Sequence, residues 1–469
     1  MFSLASALLL TSLLHAQSPA KPSVDVRDEI PKGQIVEKVV CAADASQSYA
    51  LYLPSNYSSQ HLWPVLYAFD PVARGRLPLE HFKDAAEKYG WILVGSNNSR
   101  NGPMRVAFDA GQAIWKDTHE RFAIDERQTY FAGFSGGARV AVTIAGNCRD
   151  CAAGVITCGA GFPAEIKPSQ AIRFVVFGTT GLDDFNFPEL KELGEALTKT
   201  GVPNQIEAFS GRHEWPPTSL AVEAIEWLNL QAIKRKAREP DGEFIERVWQ
   251  QRLQQAKAAE ESKQFYEAYQ TYADMVPTFK GLRDVDEAER RLDELRAMRD
   301  VKQALSDERE QIQRQRKLER QINDLIFERE RNPEDFNIGS SLSALLARLQ
   351  KSAKAEKDTG DRRIARRVTE GLFVLFFEQG RDLMNLKRYD DAVKKLALAA
   401  EIAPDRPNVF VALASGYALQ GDKKKSLQNL KVAVAKGFAD RAAIVNNKAF
   451  DSIRAEPEYL HLIERLTTP

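Results

Sequence analysis

Between residue 34 and about residue 230, short apolar runs alternate with stretches of helical period. The runs at 34–41, 48–53, 63–69, 91–95, 128–134, 153–158, 173–177 and 205–209 are bounded by turn residues and read as strands. Helical patterns fall between them at 79–89, 105–121, 136–146, 189–200 and 217–233. An opening hairpin followed by strand–helix alternation predicts a mostly parallel sheet with helices on both faces.

The pattern changes around 236–242, where Pro240, Asp241 and Gly242 interrupt it, and no strand is predicted beyond. Residues 282–332 hold neither Gly nor Pro, and 27 of these 51 positions are charged, 13 basic and 14 acidic. Leu292, Leu295, Met298, Val301 and Leu305 make a narrow apolar stripe. This predicts a solvated helix pairing through one seam, about 75 Å long if unbroken. Residues 373–440 repeat at a period of 34, with Gly380, Ala392, Leu396 and Ala399 in register with Ala414, Ser426, Leu430 and Ala433. Small residues admit a close helix pair and large ones fill the gap, a pattern that resembles tetratricopeptide repeats. Residues 264–268 would begin a degenerate earlier unit, and 449–466 would cap the array. The resemblance implies a concave groove for a protein partner; packing against the first domain is the other use of such helices.

Charge refines this division. The 469 residues carry 65 Lys and Arg against 65 Asp and Glu, which excludes a generic nucleic-acid binder. Residues 17–240 hold 24 basic and 26 acidic side chains, and residues 241–469 hold 41 and 39, so charge is concentrated in the helical half. The one long apolar run, at 4–14, is too short to span a bilayer and suits a signal peptide cleaved after Ala16. The expected layout is a signal peptide at 1–16, a leader at 17–33, an α/β domain at 34–233 and a linker at 234–245. A charged helical region at 246–370 and a repeat-like domain at 371–469 follow. The mature chain is expected to be exported, periplasmic or secreted, with no transmembrane segment. Export makes the four Cys candidates for disulfides. Cys148, Cys151 and Cys158 cluster, Cys41 stands apart, and three pairings are open. Cys148 and Cys151 have the spacing of a redox motif but close a helix, so structural thiols or one disulfide are expected. No metal ligand set and no organic cofactor are implied.

The chemistry centres on Gly133-Phe134-Ser135-Gly136-Gly137, a G-x-S-x-G motif with an apolar run before it and a helical pattern after it. That context predicts a turn so sharp that its flanks must be glycine, with Ser135 projecting as a nucleophile and the Gly136 N–H aimed at the same spot. A serine needs a base, and on such a turn the order is Ser, acid, His. Of the six His, His15, His61, His81 and His119 precede Ser135 and His461 lies in the helical tail, leaving His213 in a Gly- and Pro-rich loop. The acid is expected in the loop 179–188, from Asp184 with Asp183 as the alternative. Phe134, Phe185 and Trp215, with Phe162, are candidates to wall an acyl or aryl pocket, or to be core. Residues 96–101 (SNNSRN) form a polar loop at a strand's carboxyl end, suited to substrate contact or to an ordinary Asx-rich turn.

Taken in order, 49–54 (YALYLP), 125–137 (DERQTYFAGFSGG), the acid loop and 211–216 (GRHEWP) resemble α/β-hydrolases of the secreted esterase group. That group includes feruloyl esterases, polyhydroxybutyrate depolymerases and dienelactone-hydrolase-like proteins. The resemblance implies a Ser135–Asp184–His213 triad, an acyl-enzyme and a small or polymer-attached ester substrate. One departure stands out. The family usually carries His-Gly after its third strand, with a second oxyanion N–H just beyond, whereas this chain has Asp70-Pro71-Val72-Ala73-Arg74. Pro71 has no N–H, so the donor would be Val72, or else Ala73, and Asp70 would need Arg74 or Arg76 to neutralise it. The short interval between the runs ending at 158 and starting at 173 leaves no room for an inserted cap domain, which predicts an open site. The competing functions are a peptidase on the same fold, for which no amine-binding carboxylate is visible, and a repeat scaffold with a vestigial hydrolase domain.

Overall fold

The computed structural model describes residues 30–148, 150–332 and 334–466. The expected signal peptide and the leader up to residue 29 lie outside the described residues. The strands are β1 (Ile35–Val40), β2 (Ser48–Tyr52), β3 (Trp63–Phe69), β4 (Ile92–Ser96), β5 (Ile124–Phe134), β6 (Gly154–Cys158), β7 (Val175–Gly181) and β8 (Asn204–Phe209). They form one sheet in the order β1-β2-β4-β3-β5-β6-β7-β8. β2 pairs antiparallel with β1 and β4, and every other pairing is parallel.

Successive side chains of a strand point to opposite faces, and both faces here are covered. Val65, Tyr67 and Phe69 of β3 enter one core with Ala107 and Ile114 of α2 (Met104–Arg121), Val140 and Ala141 of α3 (Gly136–Asn147), and Leu190 and Leu197 of α4 (Phe187–Lys199). Leu66 and Ala68 enter the other with Leu79 and Phe82 of α1 (Arg76–Tyr89) and Ala221 and Ile225 of α5 (Thr218–Lys234). Double burial explains why the inner strands read as continuous apolar runs. The predicted strand at 173–177 begins at Val175 and extends to Gly181, because Thr179 and Thr180 continue the ladder to β8. The acid loop therefore starts only at Leu182.

Cys148 and Cys151 are joined by a disulfide just past α3, while Cys41 and Cys158 are buried free thiols. Burial pushes their pKa values up, to about 11 and about 12, which keeps them protonated and inert.

The helical half opens with α6 (Gly242–Glu261), α7 (Phe265–Phe279) and α8 (Asp286–Ala297). Leu230 and Ile233 of α5 share a core with Trp249, Met275, Phe279 and Leu295, so the segment expected as a linker joins two packed bodies and is no free tether. The single helix expected over 282–332 is broken at Met298, whose backbone is extended (φ −61°, ψ 143°). α9 then runs from Arg299 to Arg331, about 50 Å at 1.5 Å per residue. The break leaves Leu295 in the α6–α8 core while α9 turns toward α4, where Glu308 meets Lys191 and Arg316 meets Glu192. Tertiary packing sets it, without Gly or Pro. α10 (Phe336–Ala353), α11 (Gly360–Asn385), α12 (Tyr389–Ile402), α13 (Pro407–Leu419) and α14 (Lys423–Ala435) follow as helices joined by short connections. A Cβ on Gly380 would stand 2.6 Å from Leu396 Cγ, the close approach of α11 and α12 that the small residues of the repeat pattern allow.

Between the halves, Glu207 of β8, Glu223 of α5, Arg252 of α6 and Asp274 of α7 line a cavity of about 160 Å³. Burial, then the neighbouring Glu207 carboxylate, raises the Glu223 pKa to about 8 despite its ion pair with Arg252. Asp274 is raised by burial and by the same carboxylates. Between the ordinary Glu value and pH 8 the native state then binds more protons than the unfolded chain, so stability falls as pH rises through this window. Glu223→Gln is expected to raise the melting temperature by several degrees at pH 8.5 and hardly at all at pH 5. An equal gain at both values would refute the assignment.

Candidate active site

β5 ends at Phe134 and α3 begins at Gly136, leaving Ser135 alone at the corner with φ 54° and ψ −120°. A side chain in this region is strained, and it persists because the surroundings fix it. A Cβ on Gly133 would lie 2.0 Å from the Gly137 carbonyl oxygen, and one on Gly137 would lie 2.0 Å from that of Phe69. The motif glycines are thus required by backbone contacts on both sides of the serine.

Ser135 Oγ lies 2.9 Å from His213 Nε2, and His213 Nδ1 lies 3.0 Å from Asp184 Oδ1. Asp184 is fully buried and also accepts the Asn186 N–H at 2.8 Å. The loops that carry the acid and the histidine are tied by backbone bonds: Leu182 N–H donates to Phe209, and Asp183 N–H to Gly211. Asp183 turns its side chain away from His213 to Arg366 Nη1, 2.7 Å off. Of the two acids considered from sequence, Asp184 is the one brought to the histidine.

Gly136, the first residue of α3, has an N–H with no partner among the described residues, as helix geometry leaves it. The other expected donors differ. Val72 N–H donates to Asp70 Oδ1 at 3.0 Å, and Ala73 N–H to the Asp70 carbonyl at 3.1 Å. Both are engaged inside their own turn, Val72 by the fully buried Asp70 carboxylate and Ala73 by the Asp70 backbone carbonyl. The Asp70 carboxylate also takes Arg74 in a two-pronged pair, 2.9 Å on each oxygen, and the Trp215 indole N–H at 3.0 Å. Arg74 neutralises it, while Arg76 pairs with Glu37 and Glu80.

Phe134 and Phe185 flank the His213 ring at centroid distances of 4.6 and 4.2 Å. Phe134 and Trp215 are buried behind it, Phe162 is half-buried and packs on Phe174 at the edge of the core, and Phe185, on the acid loop, is half-exposed beside His213.

The expectation of an open site needs correction. No cap is inserted between β6 and β7, yet α11 reaches over from the C-terminal half. Arg367 is buried, donates Nε–H to the Leu182 carbonyl at 2.7 Å and lies over the Phe187 ring at 3.8 Å. Gly371 abuts Phe185, where a Cβ would stand 3.0 Å from the Phe185 Cβ. Glu378 accepts from Asn101 Nδ2 at 3.1 Å. Residues 367, 371, 375 and 378 share one helix face, so this face runs from the acid loop to Asn101, and Leu375 on it stays 42% exposed. From α9, Gln315 Nε2 donates to the Phe185 carbonyl at 3.1 Å. An interval between two strands cannot reveal a cover supplied from some 190 residues downstream. The composition of the 96–101 loop was the one signal for Asn101, and nothing local marks Glu378 or Arg367.

The sequence matches no family model and no curated protein. Among solved structures it is similar to an S-formylglutathione hydrolase from Staphylococcus aureus, at 14% identity over 42% of this chain and 98% of that one, TM-score 0.34. It is also similar to a ferulic acid esterase, at 17% identity over 42% and 97%, TM-score 0.34. A third is a thermophilic esterase from Thermogutta terrifontis with butyrate bound, at 14% identity over 44% and 96%, TM-score 0.34. At such identities and scores, function has to be read from the site. Among the described residues no cluster of His, Cys, Asp and Glu is arranged to hold a metal, and no helix is long and apolar enough to cross a membrane.

Proposed function

We propose that this protein is an exported serine hydrolase of the α/β-hydrolase type that cleaves carboxylic esters through an acyl-enzyme. The observation that carries the reading is the hydrogen-bond chain Ser135–His213–Asp184 on a strained corner beside the unengaged Gly136 N–H. Ser135 Oγ attacks the ester carbonyl as its proton passes to His213 Nε2, and the Gly136 N–H receives the developing oxyanion. His213 then protonates the departing alkoxide and takes a proton from water; the resulting hydroxide attacks the acyl carbon, and His213 returns the proton to Ser135 Oγ as the acid leaves. Asp184 holds the Nδ1–H tautomer and stabilises the imidazolium without taking the proton. No cofactor is needed.

The cover laid by α11 favours a small ester, or one at the end of a polymer, with Phe185 and Leu375 offering apolar surface to the acyl group. The Cys148–Cys151 disulfide supports export, since such bonds persist in oxidising compartments. Beyond α11, the tetratricopeptide-like helices are proposed to dock a protein partner.

A second reading, a scaffold with a vestigial site, draws on the engaged Val72 and Ala73 N–H groups. A fluorophosphonate probe separates the two. The wild type is expected to label covalently and the Ser135→Ala protein not at all. Absence of Ser135-dependent labelling would sink the enzyme reading.

A further inference from the structure

The site as described offers one oxyanion donor, Gly136, where this chemistry ordinarily uses two, and the backbone candidates of the β3–α1 loop are engaged with Asp70. With Val72 and Ala73 engaged, a side chain is the alternative source of a second donor, and one group stands at the right place. A Cβ on Gly136 would lie 1.8 Å from Asn101 Oδ1, 2.8 Å from its Cγ and 3.2 Å from its Nδ2. The Asn101 carboxamide therefore occupies the volume that any other residue at 136 would fill. At a helical φ the Cβ direction is nearly eclipsed with the residue's own N–H, so this volume borders the space that the Gly136 N–H points into. The carboxamide sits beside the oxyanion position.

Its orientation is set from outside the sheet domain. Glu378 on α11 has only acceptors, so it takes the Nδ2 end at 3.1 Å and leaves Oδ1 turned to Gly136. An oxygen there repels a developing oxyanion; the NH₂ end would bind it. Both side chains are exposed, so the amide can turn over without disturbing a core.

We propose that Asn101 is the second oxyanion donor, a catalytic residue acting through its side-chain amide, and that Glu378 is a positioning residue that holds this amide with its donor turned away. The inference rests on the serine-hydrolase reading above. The C-terminal half then sets the turnover of the site it covers: whatever draws Glu378 off Asn101 completes the oxyanion hole.

The test uses the full chain and p-nitrophenyl acetate, measuring kcat and KM separately. Glu378→Ala is expected to raise kcat about two- to tenfold, the ratio corresponding to one ordinary hydrogen bond, with KM little changed. Asn101→Ala and the near-isosteric Asn101→Asp, which lacks the donor, are expected to fall about 10²-fold below Glu378→Ala, the loss typical of one oxyanion donor. Adding Glu378→Ala to Asn101→Ala is expected to restore nothing. If Glu378→Ala speeds the reaction equally with and without Asn101, the carboxylate acts by charge alone and the orientation argument is overturned. A kcat for Asn101→Ala within threefold of wild type, or a slower Glu378→Ala protein, overturns it as well, and both leave the serine reading intact. Ser135→Ala is the control: if it hydrolyses the ester as fast as wild type, the serine reading fails first. Circular dichroism melts of each variant are expected to match wild type, so a changed kcat reports on the site and not on unfolding.

Discussion

Ester turnover by the Ser135→Ala or His213→Ala protein is expected to fall by about six orders of magnitude, and that of Asp184→Asn by about four. Asp183→Asn is expected to stay within severalfold of wild type. The ranking follows from position. In the proposed mechanism Ser135 and His213 exchange the proton that the reaction moves, whereas Asp184 acts on it only through Nδ1, fixing tautomer and ring orientation from a fully buried site. Asp183 is the next residue, yet its carboxylate faces Arg366 and its contribution is to the seam between the halves. Steady-state kinetics on p-nitrophenyl acetate checks all four. A greater loss for Asp183→Asn than for Asp184→Asn would reverse the assignment of the acid. Because the three groups act as a unit, combining Ser135→Ala with His213→Ala is expected to add almost nothing to either alone.

The Arg367→Ala protein is expected to lose about 2–4 kcal/mol of stability, from a partly buried carbonyl left without its donor and from lost packing. Turnover should fall about 10- to 100-fold with it. Arg367 is the most buried charged side chain between the halves: its guanidinium caps the Leu182 carbonyl and rests on Phe187, with burial drawing its pKa down to about 10. At that value it stays charged under any ordinary assay. Leu182 is two residues from Asp184, so freeing its carbonyl loosens the loop that aims the acid, and small misplacements of catalytic groups are costly. Arg367→Met restores bulk and not hydrogen bonds. It is expected to recover the packing share of the stability, about half, while kcat stays as low as in Arg367→Ala, a split that a purely structural role for Arg367 would not produce. Urea melts and kinetics on the three proteins decide the matter, and a melt unchanged by Arg367→Ala would overturn the expectation.

Much of the sheet domain was legible because its cues are local. Gly133 and Gly137 mark a turn that permits no side chain, His213 is the only histidine left once order and loop context are applied, and the strands announce themselves by apolar runs that double burial makes continuous. What stayed illegible depends on contacts between residues far apart. Val72 looked like a donor because its N–H exists; that Asp70 would fold back and take it is a matter of where a buried carboxylate finds partners. The cover by α11 was hidden for the same reason. Arg367 and Glu378 read as two more charges in a charged helical half, and Gly371 as one glycine among many. The break at Met298 lacks any sequence signal, since the packing of Leu295 sets it and no Gly or Pro is involved.

The bond from Arg367 to Leu182 spans 185 positions, and that separation has a temporal meaning. A chain made from its N-terminus at roughly 5–20 residues per second completes the sheet well before residue 367 exists. For some ten seconds or more Ser135, His213 and Asp184 are all present without the helix that reaches over from the C-terminal half and with nothing holding Asn101. The contacts from Arg367 to Leu182 and from Glu378 to Asn101 form only after the residues of the sheet exist, so the last third of the chain acts on the first as a delayed restraint.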